Sequence, residues 1–343
     1  MLNGCSDERL RRVCAPNGAN IAETRDGASS SAKTASPSLP ILRSADIHTR
    51  RIRLCTAKQA GSTRSGHRGP FGEEVDMVDS HGRFLWYELM TTDMEAAKAF
   101  YVDVVGWGTR EAPLEGTPYV LFTAGGASVS GMMGFPDGAR ELGFRPTWLG
   151  YVGVNDVDAA ADRIKQLGGA VHVSPRDVPN ISRFAVAVDP QMATIAVVKW
   201  VDDSERRPAP PSTLGHVGWH ELVAADWEKV WPFYAALFGW QKAEADTGAM
   251  GTYQLFSAEG ETIGGMFTKR PTVPIPFWLY YFNVGDIDLA VQRVKAGGGH
   301  VVDGPIQVPG GRWIVQCVDP QGAIFALEGR RSHGGIGYFG RAG

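Results

Sequence analysis

The chain has 343 residues, of which 43% are hydrophobic and 21% charged, with a formal net charge of -3. That length implies two or three domains, and the composition is that of an ordinary globular protein. No apolar run approaches the ~18 residues that span a bilayer, and slight acidity speaks against nucleic acid, so the expected partner is a small molecule rather than a membrane or nucleic acid. Cysteines stand at 5, 14, 55 and 317, a spacing that suits neither a disulfide framework nor a zinc motif. A reducing, cytoplasmic setting is expected.

Residues 1–76 are rich in Ser, Thr, Gly, Ala and Arg and poor in aromatics. Such a segment buries too little apolar surface to offset its ordering entropy, so disorder is expected. Asp7, Glu8 and Glu23 spoil the acid-poor pattern of a targeting peptide, and the basic residues are scattered for a nucleic-acid tail. A gene-start artefact, with Met77 the natural start, is favoured, because nothing before Met77 recurs later in the chain.

Arg83 to Met90 alternates as a strand, and Thr92-Asp93 opens a helix that carries Ala96, Phe100, Tyr101 and Val104 at helical spacing and closes at Gly106. Short strands follow near Tyr119 to Thr123 and Ser128 to Met133. The order then recurs: strand from Trp148, helix from Val157 to Leu167, strands Arg183 to Val188 and Thr194 to Lys199 around the Asp189-Pro190 turn. A charged, proline-rich linker occupies 202–214.

Beyond it the chain repeats itself. Phe84–Trp107 reads FLWYELMTTDMEAAKAFYVDVVGW and Val217–Trp240 reads VGWHELVAADWEKVWPFYAALFGW, so that Trp86, Glu88, Asp93, Phe100, Tyr101 and Trp107 fall on Trp219, Glu221, Asp226, Phe233, Tyr234 and Trp240 at one offset. Trp148 and Asp189-Pro-Gln191 likewise match Trp278 and Asp319-Pro-Gln321. A repeat of roughly 130 residues exceeds a solenoid unit and implies a domain with its own core. The expected divisions are 80–201 and 215–329, followed by a loose tail, 330–343. The fold class is α+β: two tandem domains, each a pair of βαβββ units around a cavity.

Paired βαβββ units, a Trp-x-Glu-Leu strand before an Asp-opened helix with Phe-Tyr and a closing Gly-Trp, and the Asp-Pro-Gln turn together resemble the vicinal oxygen chelate superfamily, in its tandem two-domain glyoxalase/bleomycin resistance/dioxygenase-like form. The resemblance implies that facing strands of each domain hold a divalent ion through His, Glu or Gln side chains. The positions it assigns are Trp86 and Trp219, a site near Gly131 and Gly265, Leu149 and Leu279, and Ala196 and Ala326. None offers a lone pair suited to a metal, so no metal and no cofactor is expected. A non-standard set of Glu221, Glu328 and His220 needs His220 to turn against its strand parity.

Alternation places Glu88 on the face of Trp86 and Glu221 on that of Trp219, as candidate general bases in the cavity. Trp86, Trp148, Tyr151, Trp219, Trp278, Tyr281, Asn283 and Glu328 are the candidate ligand-binding residues, with Glu221 and Glu328 expected to meet Tyr281 across one pocket and a carboxylate desolvated between Trp219 and Trp278. Against these stands the plainer reading of rim carboxylates and core aromatics. His220 reads as a packed structural histidine, and His216 and His300 as surface residues. Three functions remain open: a small-molecule-binding protein of glyoxalase/bleomycin-resistance type, a lyase, isomerase or dioxygenase-like enzyme with a glutamate base or unforeseen metal ligands, and an interaction module with vestigial cavities. Paired domains suit a monomer, with a homodimer not excluded.

Overall fold

The computed structural model describes residues 80–112, 117–135, 144–202, 209–248 and 251–331. The expectations for 1–76 and for most of the tail lie outside them. Arg330, however, still belongs to the last strand, and Arg331 is held by Asp288 in a paired ion contact at 2.7 Å. No helix of the described residues is long and apolar enough to cross a membrane.

The first repeat folds as β1 (Phe84–Thr91), α1 (Met94–Val105), β2 (Gly108–Glu111), β3 (Tyr119–Ala124) and β4 (Ala127–Gly134), then β5 (Thr147–Gly153), α2 (Val157–Gln166), β6 (Ala170–Val178), β7 (Ser182–Val188) and β8 (Thr194–Trp200). The second gives β9 (Val217–Ala224), α3 (Trp227–Phe238), β10 (Gln241–Gly248), β11 (Gly251–Ala258), β12 (Glu261–Thr268), β13 (Phe277–Asp286), α4 (Ile287–Ala296), β14 (His300–Gln307), β15 (Trp313–Val318) and β16 (Ile324–Arg330). Each helix starts at an Asp whose carboxylate accepts from a backbone N–H three residues on: Asp93, Asp156, Asp226 and Asp286. Such a cap stabilises by about 1 kcal/mol. Gly106 and Gly239 end α1 and α3 at φ 84° and 70°, where a side chain would be strained.

Each repeat makes one eight-stranded sheet, ordered β2-β3-β4-β1-β5-β8-β7-β6 and β10-β11-β12-β9-β13-β16-β15-β14. The two βαβββ units of a repeat therefore meet at β1 and β5, or at β9 and β13, which pair antiparallel with Glu88 opposite Leu149 and Glu221 opposite Leu279. That register brings the two central strands of each site together.

A separate core for each repeat does not form. The helix-facing sides of both sheets share one apolar cluster, from Tyr87, Leu89 and Trp148 to Leu222, Trp278 and Phe325. Phe100 of α1 packs on Gly297 and Gly299 of the other repeat, and Phe233 of α3 on Gly169, close approaches that any Cβ would obstruct. Polar links repeat the exchange: Tyr101 donates to Asp319 at 3.1 Å and Tyr234 to Asp189 at 2.9 Å. Trp107 donates to the Gly215 carbonyl and Trp240 to that of Gly82, both at 2.7 Å. The Asp-Pro-Gln turns thus fasten one half to the other.

On the local two-fold axis, corresponding residues meet. Tyr87 and His220 lie 2.6 Å apart, and the Gly150 N–H donates to the Tyr280 hydroxyl at 2.8 Å. His220 Nδ1 contacts the Ile263 carbonyl at 2.6 Å; a carbonyl only accepts, so Nδ1 carries the proton and Nε2 accepts from Tyr87. Phe84 stacks on the ring at 4.0 Å. Burial pushes the His220 pKa down to about 4. The histidine is structural, as strand parity implied.

Candidate active site: a carboxylate between two tyrosines in each sheet

The faces turned away from the shared core carry two smaller clusters. In the first sheet Trp86, Leu149, Tyr151, Ala196, Val198 and Trp200 are buried together, and in the second Leu279, Tyr281 and Ala326, with Trp219 half-buried beside them. Glu88 and Glu221 are the charged residues placed there by alternation along β1 and β9.

Both glutamates have the same partners. Tyr119 donates to one Glu88 oxygen and Tyr151 to the other, each at 2.8 Å. In the second sheet Tyr253 and Tyr281 donate to the two oxygens of Glu221 at 3.0 and 3.1 Å. Indoles support the tyrosines from above: Trp86 Nε1 donates to Tyr119 at 3.3 Å and Trp219 Nε1 to Tyr253 at 2.9 Å. In the second sheet alone Gln316 also donates to Tyr281, at 3.2 Å; its counterpart is Val186.

Space for this arrangement comes from glycine. A Cβ on Gly131 would lie 1.8 Å from the Tyr119 hydroxyl, and one on Gly265 2.3 Å from the Tyr253 ring. These are the positions at which the resemblance places a metal ligand; the missing side chain lets a tyrosine fold across to the glutamate instead.

Desolvation raises the pKa of both carboxyls, outweighing the tyrosine bonds that favour the charged form. Glu221 is pushed up to about 7. Burial, and after it the neighbouring carboxylates, hold the hydroxyls of Tyr151, Tyr253 and Tyr281 well above the usual range, so those phenols stay protonated donors.

Of the sequence-derived candidates, Trp86, Glu88 and Tyr151 meet in one sheet and Trp219, Glu221 and Tyr281 in the other. Trp148 and Trp278 do not join them. Their strand positions are out of phase with Glu88 and Glu221, and each indole lies in the shared core, donating to Tyr101 at 2.9 Å or Tyr234 at 3.1 Å. Glu221 is therefore not desolvated between Trp219 and Trp278. Glu328 does not reach across to Glu221 through Tyr281: it forms an ion pair with Arg312. Arg312 also donates to Asn283 at 2.7 Å, and Asn283 donates to the Pro211 carbonyl, so both candidates secure the linker to the sheet. The alternative set of Glu221, Glu328 and His220 is not assembled, since His220 faces the core. Tyr119 and Tyr253 are not among the sequence-derived candidates, although a tyrosine at matching places in both repeats, two residues before the leucine that faces Gly131 or Gly265, is an available signal.

A divalent ion is poorly served. Among the described residues no three His, Cys, Asp or Glu side chains converge as a metal-binding group, and Glu88 and Glu221 each have both oxygens engaged by tyrosine.

The sequence model of the Glyoxalase/Bleomycin resistance protein/Dioxygenase superfamily matches residues 83–197 and again 213–327. Over 246 residues the chain is 33% identical to a Mycobacterium tuberculosis protein provisionally named glyoxylase CFP32, covering 71% of this chain and 92% of that one. It is 31% identical over 255 residues to the anthracycline biosynthesis protein DauV of Streptomyces sp. strain C5, covering 71% and 91%. Among solved structures, the Mn(II)-bound glyoxalase from Novosphingobium aromaticivorans aligns with a TM-score of 0.51 and 16% identity, over 73% of this chain and 82% of that one. At that identity the likeness concerns the fold alone.

Proposed function

The chain belongs to the Glyoxalase/Bleomycin resistance protein/Dioxygenase superfamily, and from that premise we propose that it takes a small, planar organic molecule in a metal-free site where Glu221 exchanges a proton with it. The observation that carries this reading is the Glu221 carboxyl, 6% exposed, held by Tyr253 and Tyr281 with its pKa raised to about 7. A group half-ionised at neutral pH is suited to both accept and return a proton. The half-buried rings of Trp219 and Tyr253, the latter stacked on Phe267, supply an aromatic wall. That DauV is named for the biosynthesis of anthracyclines, which are flat and polycyclic, accords with this ligand class.

The chemistry asked of the site is modest. A ligand O–H or acidic C–H next to a carbonyl would give its proton to Glu221, the electron pair remaining on the ligand oxygen or passing to the carbonyl. Tyr253 and Tyr281 stabilise the charged carboxylate beforehand and leave its remaining lone pairs to accept from a ligand.

Two measurements test the proposal. Elemental analysis of protein purified without tag or chelator, followed by titration with Ni, Zn, Mn and Fe(II), should find no stoichiometric tight metal; finding one would overturn the metal-free reading. A thermal-shift screen of planar phenols and quinones, repeated at pH 6 and pH 8, should yield ligands whose affinity changes across that interval. In Glu221→Gln the dependence should vanish, and any turnover should fall on the order of a hundredfold or more. An unchanged pH profile in that variant would remove Glu221 from the chemistry.

A further inference from the structure

We propose, on the basis of the small-molecule reading above, that the two sheets carry unequal sites: in the first, the indole of Trp200 already occupies the place that a fused-ring aromatic ligand takes in the second. The argument comes from comparing the repeats position by position. Trp200 ends β8 and is 9% exposed. It meets Trp86 edge-on, with ring centroids 6.0 Å apart and planes at 75°, above the face that bears Glu88. Trp86 and Tyr119 beside it are buried, whereas Glu88 and Glu221 are buried alike in the two sheets.

The corresponding residue at the end of β16 is Arg330, which is exposed. Among the described residues nothing aromatic in the second cluster stands where Trp200 stands in the first, and Trp219 and Tyr253 are half-buried. Val198 and Ser182 of the first repeat correspond to Glu328 and Arg312, whose ion pair keeps both side chains engaged with each other. Among the described residues the second sheet therefore presents the same carboxylate and two tyrosines, without an indole at the place of Trp200 and with Trp219 and Tyr253 less buried than their counterparts.

Trp200 serves as a template for what is missing. It is a flat, two-ring group that packs by its edge on an indole. A ligand in the second site would add a hydrogen-bond donor, because Glu221 retains lone pairs beyond those used by the tyrosines. The class is a fused bicyclic or larger aromatic with a phenolic O–H or a ring N–H, bound once per chain.

The test uses the full chain with 2-naphthol and indole as probes, measured by isothermal titration and native mass spectrometry. The wild type should bind one 2-naphthol, and Trp219→Ala should weaken it by about tenfold or more. Trp200→Gly should gain a second site, filled by indole with a rise in thermal midpoint; Trp200→Arg, which copies the second repeat, provides the same reading should the glycine variant not fold. Two equivalents in the wild type would overturn the inference, as would no gained site in either folded variant. Indole binding gained by Trp200→Gly while the wild type binds no aromatic would uphold Trp200 as an internal plug and overturn instead the aromatic ligand of the second site.

Discussion

At the scale of the residue, two buried groups respond to pH with opposite signs. The folded state holds the Glu221 proton more tightly than the unfolded chain does, so its contribution to stability is complete below the unfolded pKa near 4.5. It is lost as pH rises to about 7. His220 behaves in reverse: its pKa of about 4 in the folded state means that stability present above 6.5 is lost as pH falls toward 4. Glu221→Gln, a neutral mimic of the protonated acid, should match the wild type near pH 4.5 and exceed it at pH 8, by on the order of 3 kcal/mol at most. Urea unfolding at the two pH values checks this; a constant difference between the proteins would contradict it. In Tyr87→Phe combined with His220→Phe, the acid-side loss between pH 6.5 and 4 should diminish in the same assay.

At the scale of the element, Gly131 and Gly265 determine whether a glutamate on the neighbouring strand acquires its tyrosine. Gly265→Ala should displace Tyr253, remove its bond to Glu221 and destabilise by about 1–3 kcal/mol, the usual cost of overpacking. Thermal unfolding gives the cost, and a shifted Glu221 titration in carboxyl NMR gives the lost bond. Strands and helices were largely legible in the sequence because capping aspartates, helical apolar spacing and terminal glycines agree with one another, twice. The poorly legible strands β6 and β14 each form one edge of a sheet; half exposed and interrupted by Pro175 and Pro305, they lack the alternation that marks an interior strand. Aromatic character points Trp148 and Trp278 to the ligand site, but their strand parity is opposite to that of Leu149 and Leu279 and carries both into the shared core. The partnership of Glu328 with Arg312, and that of Glu88 with Tyr119, depend on how strands are ordered across the sheet, which spacing along one chain does not encode.

At the scale of the whole molecule, the repeat boundary evident in the sequence is not a boundary in the core. Removing one half would expose Phe100, Tyr101 and Trp148, or Phe233, Tyr234 and Trp278, to water. Burying such a side chain stabilises by about 1.5–3 kcal/mol, so residues 80–202 expressed alone should associate or unfold, and the monomeric fold should return on mixing with 209–331. Analytical ultracentrifugation with near-UV circular dichroism decides; a well-folded monomeric single half would refute the shared core. Tyr101→Phe is the milder probe. It leaves Asp319 without one donor and Trp148 without its acceptor, for an expected loss of about 1–3 kcal/mol in chemical denaturation.

The contacts on the two-fold axis also bear on history. Where Gly150 faces Tyr280 and Tyr87 faces His220, each side has become the complement of a residue that only its covalent sibling carries. Two copies of the first half would bring glycine against glycine and leave a hole; two copies of the second would drive tyrosine into tyrosine. Each such pair works as a ratchet: with the halves covalently joined, neither can return to a symmetric pairing without a change at the seam. The same divergence leaves Trp200 in the first sheet and Arg330 at the matching place in the second.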